Sequence, residues 1–237
     1  MNKSLKTEAI LETNDALGTL ASPAALTRRS QIAATLRDAI FAGQLPPGSA
    51  LVETKLANHF GVSRGPLREA IRQLSEEGLL VNKPYVGTYV VEMNQQTLTE
   101  AYDLRRVLEC HAFDLIWARR DKSFEKELMR RHALLIEAVD SGDVHEEIAA
   151  EMNFHRFPYE FSGSGLLLET WEMLSQKIRL GFTLYQKAIV EPVSSRNAHK
   201  GYVRCALGQD LAAMHAEIGK HIDAGLTSVL GYLRTPK

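Results

Sequence analysis

Two groups of residues in this 237-residue chain have the types and spacing needed for chemistry. The first is a set of histidines with a carboxylate. Glu151 and His155 are four apart in a helix-like stretch, beside Phe154, so a carboxylate oxygen and an imidazole can point at one spot. Taken alone, such a pair also reads as a simple salt link. His199 and His221 are 22 residues apart, ~33 Å along one straight helix and too far for shared coordination. Gly208-Gln209-Asp210 falls near their midpoint, with Asp210 placed to cap a following helix, and a hairpin there brings both imidazoles to one height. The second group is Arg64, Arg68 and Arg72, which recur every four residues opposite Leu67, Ala70, Ile71 and Leu74. Guanidinium forks on one helix face can hold phosphates or read guanine edges. Such a face is equally the solvated side of a surface helix, and only the surrounding elements decide between the two.

Those elements follow from the periodicity. From Ser30, Ile32, Leu36, Ile40 and Phe41 recur at helical spacing until Gly43 and the Pro46-Pro47-Gly48 turn. A short helix over Glu53–Phe60 is followed by Gly61-Val62-Ser63, where Ser63 is placed as an N-cap, and a third helix runs to Gly78. Leu79-Leu80-Val81, Asn82-Lys83-Pro84 and the run from Gly87 to Val91 then read as a hairpin. Helix, helix, short Gly-containing turn, helix, hairpin is the order of a winged helix-turn-helix, which favours the DNA reading of the arginines.

Beyond a polar joint at 93–96, strand signals vanish. Six amphipathic stretches follow, Leu98–Arg120, Phe124–Asp140, Val144–Phe161, Leu166–Ile189, Arg196–Leu207 and Leu211–Leu233, separated mostly by short turn signals. The expected fold is mainly α: an N-terminal winged helix-turn-helix over 28–92 and a C-terminal all-α antiparallel six-helix bundle over 97–237, after a flexible tail over 1–27.

Charge agrees with that division. The whole chain carries a formal −1, but residues 28–92 hold 8 Lys and Arg against 6 Asp and Glu, while residues 93–237 hold 18 against 20. The basic excess lies on the segment expected to read DNA. Two cysteines, Cys110 and Cys205, are too few for a disulfide framework, and a reducing cytoplasmic setting is expected. No uncharged apolar run approaches the ~18 residues of a membrane span. Glu8, Glu12 and Asp15 interrupt any apolar core of a secretory signal.

Val62-Ser63-Arg64-Gly65-Pro66-Leu67-Arg68-Glu69-Ala70-Ile71-Arg72-Gln73-Leu74, followed by Glu77-Gly78-Leu79-Leu80 and Gly87-Thr88, resembles the helix-turn-helix of the GntR family of bacterial transcription regulators. The resemblance implies DNA contacts from Arg64 and Arg68, with the wing tip near Tyr85–Gly87 approaching the minor groove. At a helix-two position often basic in relatives the chain has Thr54, whose hydroxyl can hold a phosphate. The candidate DNA-facing set is Thr54, Ser63, Arg64, Arg68, Arg72, Tyr85 and Gly87. Glu-x-x-Phe-His at 151–155, His199, Gly208-x-Asp210 and His221 resemble the metal-binding FCD ligand domain of the FadR branch, and Asp103–Glu109 resembles its first-helix signature. The six-helix count suits the VanR-type subgroup.

In that family an Asp four residues before the first His, together with three His, holds a divalent metal. The resemblance therefore implies Glu151, His155, His199 and His221 as ligands, with Glu151 in place of the Asp; zinc or nickel suits such a set. A small carboxylate effector is expected at the metal, with Arg105 and Arg179 as candidate forks for its other oxygens. Arg105 is equally placed to pair with Glu109, and Arg179 to sit at the surface.

The expected function is a metabolite-responsive, homodimeric transcription regulator, a repressor by its resemblance, acting on a pseudopalindromic operator. A metal-dependent hydrolase is the alternative, because an open histidine site can generate hydroxide, but no nucleophile motif accompanies it and an enzyme has no use for residues 30–92. A purely structural metal is the third reading.

Overall fold

A computed structural model of the chain describes residues 23–186 and 196–233. Among the described residues it has nine α-helices and one small sheet. The first helix, α1 (Pro23–Phe41), buries Ile32, Leu36, Ile40 and Phe41, the apolar series anticipated from Ser30 onward. Its described part begins at Pro23, so residues 23–27, read as tail, are helical. Residues 1–22 lie outside the described residues.

A two-residue strand β1 (Ala50–Leu51) precedes α2 (Glu53–Phe60) and α3 (Arg64–Glu76). Gly61, at φ 62°, ends α2 in the left-handed conformation that the sharp helix-to-helix turn requires. Leu67, Ala70, Ile71 and Leu74 of α3 are buried, packing α3 on α1. Ser63 takes the N-cap position, but its side chain makes no capping bond. The third helical residue is Pro66, which has no N–H to offer it.

The wing is β2 (Leu80–Lys83) and β3 (Gly87–Val90), paired antiparallel from Leu80↔Val90 to Lys83↔Gly87. β1 adds to the other edge of β3, giving the order β1-β3-β2. At the tip the Val86 N–H donates to the Lys83 carbonyl at 3.0 Å, with Pro84 and Tyr85 between them. Tyr85 has φ 63°, in the turn position that normally takes glycine. A left-handed residue other than glycine costs about 1–2 kcal/mol. The tip thus holds a fully solvent-exposed aromatic at a conformational cost.

The second half is helical throughout: α4 (Gln95–Ile116), a single 3-10 turn (Trp117–Arg119), α5 (Lys122–Ser141), α6 (Val144–Ser162), α7 (Gly165–Gln186), α8 (Lys200–Ala206) and α9 (Leu211–Leu233). Side chains of Asn94, Asp121 and Asp143 accept backbone N–H bonds and start α4, α5 and α6. Asp210 does the same for α9, accepting from the Ala213 N–H at 3.0 Å. α4 is central, touching α6, α7 and α9, and its inward face carries Leu98, Tyr102, Arg105, Glu109, Phe113 and Ile116. The expected end of the fourth bundle helix, up to Ile189, falls partly outside the described residues. The fifth begins at Lys200 rather than Arg196, because 196–199 form a turn.

Candidate metal centre

Each ligand candidate is placed by a different local rule. Glu151 and His155 project from successive turns of α6 on its buried face. His199 stands at the N-cap of α8, and His221 lies on α9 after the Leu207–Asp210 turn reverses the chain. Arg120 braces that turn: its Nη1 donates to the carbonyls of Ala206 and Gly208, and its guanidinium lies 3.2 Å from the centre of the Trp117 ring.

The structure brings the four candidates together. His155 Nε2 is 3.2 Å from His199 Nε2, and His221 Nε2 is 3.1 Å from His155 Nε2. Glu151 Oε1 is 3.2 Å from His155 Nε2 and 3.9 Å from His221 Nε2, while its Oε2 is 3.1 Å from His199 Nε2. All four donors fall within 4.8 Å of one another, and Glu151, His155 and His199 are buried. Zinc-to-donor bonds of about 2.0–2.1 Å put tetrahedral ligand atoms about 3.3 Å apart. The donor set and its spacing therefore fit a transition ion. Four protein donors close a tetrahedral site, whereas an ion of higher coordination number keeps positions open for a ligand.

Glu109, placed by the sequence as a partner for Arg105 and within the first-helix signature, also reaches the cluster. It is fully buried, accepts from the Tyr202 hydroxyl at 2.5 Å, and its Oε1 lies 2.9 Å from His155 Nδ1. A proton on Nδ1 leaves the Nε2 lone pair facing the cluster, as carboxylates behind metal-binding histidines commonly arrange. Burial opposes charge on Glu109, but His155 and Arg105 outweigh it and hold the carboxyl at about 2. Glu109 is 46 residues from His155 in sequence, a distance at which only a shared first-helix signature could have pointed to it.

Burial and the neighbouring charges set the electrostatics of the four donors. Burial disfavours charge on Glu151, yet His199 and hydrogen bonds from the three imidazoles hold its carboxyl well below the usual range. Burial, with His155 and His199 adding to it, lowers His221 to about 4. His155 is pushed down by burial and Arg105, but Glu109 and Glu151 prevail and raise it above the ordinary imidazole value. An ion must displace the proton that His155 favours, so zinc binding is expected to release protons and to tighten as pH rises above the ordinary imidazole range, since the competing proton is lost in that direction. Calorimetric titration in two buffers of different ionisation enthalpy measures this release; identical heats in both would contradict it.

Arg105 is 2% exposed and its Nε donates to Glu109 Oε2 at 3.2 Å. Arg179 is not brought to the cluster. Its guanidinium lies 4.1 Å from the centre of the Phe41 ring on α1, and burial lowers its pKa, with Asp38 opposing and Arg37 reinforcing the shift. It belongs to the junction between reading head and bundle, because α7 runs from the bundle interior to α1. A cleft of about 500 Å³ opens beside His221, lined among others by Lys200, Arg204, Lys220 and Glu217. A larger one, about 900 Å³, lies between head and bundle, where Arg37, Gln73 and Glu77 face Trp171, Met152 and Arg156.

On the head, the three arginines differ. All are exposed, but Arg68 Nε donates to Glu53 Oε2 at 2.8 Å, and Arg72 bridges Glu69 at 2.9 Å and Glu76 at 2.7 Å. No ion pair is found for Arg64 among the described residues. Thr54 and Ser63 are exposed beside them, and Tyr85 and Gly87 stand at the tip of the wing.

Residues 28–90 match the family described as bacterial regulatory proteins, gntR family, and residues 100–224 match the FCD domain. A Paenarthrobacter nicotinovorans protein described as "Probable D-xylose utilization operon transcriptional repressor" is 32% identical over 154 residues, covering 63% of this chain and 68% of the relative. Across the first three curated relatives the match spans 57% to 68% of their own lengths. Among solved structures, Escherichia coli McbR/YncC superposes with a TM-score of 0.72 at 22% identity, over 90% of this chain and 99% of that one. That likeness shows the fold. A GntR transcriptional regulator structure from Rhodococcus sp. RHA1 has a TM-score of 0.68 at 26% identity, over 88% and 100%. No helix among the described residues is long and apolar enough to cross a membrane. The chain belongs to the GntR family of bacterial regulatory proteins, transcription regulators rather than enzymes, and carries an FCD domain behind its winged helix-turn-helix.

Proposed function

We propose that this chain is a cytoplasmic, homodimeric transcription repressor whose bundle holds a divalent transition ion, zinc or nickel, through Glu151, His155, His199 and His221, and that a small organic acid bound there changes its grip on a pseudopalindromic operator. The observation that carries the reading is one chain containing both an arginine-faced helix in a winged head and a buried three-histidine, one-carboxylate cluster in the bundle. The name of the D-xylose operon relative supports the repressor sign. A bound ion would supply a Lewis-acidic point to which a carboxylate oxygen can attach. Arg105, buried beside Glu109, would steer that acid, and the cationic rim of Lys200, Arg204 and Lys220 near His221 would favour the approach of anions.

Two reading heads need a dimer, and α4 offers a surface for one. Leu104, Val107 and Leu115 are exposed at intervals of three and eight residues, an apolar stripe on the side opposite the buried face. Two-fold pairing would present two α3 helices to successive major grooves about 34–36 Å apart.

The test is selection of bound duplexes from a random pool, followed by gel shift with nickel-loaded protein and a panel of small organic acids. A two-fold symmetric site, with affinity changed at least about fivefold by one acid, is expected. Failure to enrich any sequence would overturn the reading. A structural ion is the second reading, favoured by four donors closing a tetrahedron. It predicts a lower melting temperature on metal removal and no response to any acid.

A further inference from the structure

Pro158 lies inside α6, three residues beyond His155. It has no N–H to donate, so the Phe154 carbonyl loses its usual helical partner, and the proline ring crowds that carbonyl. The break thus falls in the turn that carries Phe154 and His155, next to the one that carries Glu151. Phe154 itself packs on the cluster, its ring centre 4.9 Å from that of His199. A helix interrupted there needs another hold if its two donors are to stay on one spot.

Arg131 of α5 supplies that hold. Its Nε donates to Glu127 Oε1 at 2.7 Å on its own helix, its Nη1 donates to the Asn153 backbone carbonyl at 2.9 Å, and its Nη2 donates to Glu160 Oε2. The guanidinium carbon lies 5.0 Å from the centre of the Phe157 ring. Three of these contacts fall on α6, at residues 153, 157 and 160, and they lie on both sides of Pro158. Arg131 is buried, so little water competes for them. An ion pair between helices would need Glu160 alone. The bond to a main-chain carbonyl inside a helix is the uncommon feature, because such carbonyls ordinarily have their own i+4 donor. Asn153 and His155 lie about 200° apart around α6 at roughly 100° per residue, so Arg131 grips the helix from the side away from the cluster. Among the described residues it is bonded to none of the four donors.

We infer that Arg131 is a positioning residue for the metal site: by tying Asn153 to Glu160 across the proline break, it keeps Glu151 and His155 aimed at a common point. It acts through the backbone of α6 and holds no ion itself. The inference rests on the metal reading above and adds to it a residue on another helix whose loss loosens the ligand set.

The test is titration of the full chain with nickel ions against a competing chelator. Visible spectra of the cobalt-loaded chain are the second readout, because the bands report the geometry of the ligand set. Arg131→Met should hold nickel about tenfold more weakly, as when a group supporting a ligand is removed, and its cobalt bands should differ from those of wild type. Pro158→Ala gives residue 158 an N–H for the Phe154 carbonyl, so the clamp is no longer needed. Arg131→Met combined with Pro158→Ala should therefore recover most of the lost affinity and the wild-type spectrum. If Arg131→Met fails to fold by circular dichroism, Arg131→Lys carries the same comparison, since one ammonium keeps the charge without the planar fork. Wild-type affinity and spectrum in the single variant, even with a lowered melting temperature, would assign Arg131 to stability alone and overturn the inference. A double variant as weak as the single one would overturn it too, leaving the metal reading in place. A wild-type chain that binds neither nickel nor cobalt would overturn both.

Discussion

His199→Ala combined with His221→Ala will yield a folded chain that retains no stoichiometric divalent metal by elemental analysis. The two residues supply half of a four-donor set whose atoms all lie within 4.8 Å of one another. What remains is Glu151 and His155, a pair four apart on one helix that can grip an ion only from one side. With two donors gone the loss in affinity is expected to be many orders of magnitude, since a structural zinc site contributes about 10–16 kcal/mol when complete. The fold should survive. His199 caps α8 without a side-chain capping bond, and the hairpin is held independently by Arg120 and by Asp210. Circular dichroism would verify this, and His221→Gln, which keeps most of the side-chain volume, separates lost ligation from lost packing. Full metal content in the double variant would contradict the assignment.

Arg64→Ala should weaken binding to a selected operator about 5- to 150-fold, the range of one good guanidinium contact to a base edge. If the contact is to phosphate, the log-salt slope should also flatten by roughly one. Arg68→Ala should cost less, because Arg68 already has a partner in Glu53 and must give up that 2.8 Å pair to meet DNA. The same pair makes a prediction of opposite sign. Glu53→Gln frees Arg68 and removes a negative charge from the approaching face, so it should tighten binding. Gel shifts at two or more salt concentrations measure all three. Unchanged binding in Arg64→Ala would remove α3 as the reading helix.

How much of this was legible depended on whether a contact was local or could be folded back from a turn. Leu67, Ala70, Ile71 and Leu74 declared the buried face of α3 by spacing alone, and Asp210 declared the turn that lets His199 and His221 meet. The strand β1 was not visible, because two residues carry no alternation and Ala50–Leu51 is extended only through its pairing with β3. The pairing of Arg68 with Glu53 was hidden for a related reason, since it crosses from α3 to α2 and follows no helical interval. Arg179 shows the limit in the other direction. An arginine on a helix that borders the site reads as a candidate for an anion, but its rotation about α7 aims it at Phe41, a fact set by how head and bundle dock. Glu109 carried two meanings at once: the interval of four to Arg105 was legible, whereas the bond to His155, which would orient the imidazole in the proposed metal site, required the tertiary structure.

The central claim is that the bundle is a metal-holding sensor domain joined to a DNA-reading head in a two-chain particle. Native mass spectrometry of the protein as purified tests it most directly, because one spectrum reports chain number, bound ion and any retained acid. The expected result is a dimer with one zinc or nickel ion per chain, the ion lost when His199 and His221 are both replaced. A chain that takes up neither zinc nor nickel after equilibration with each would contradict it.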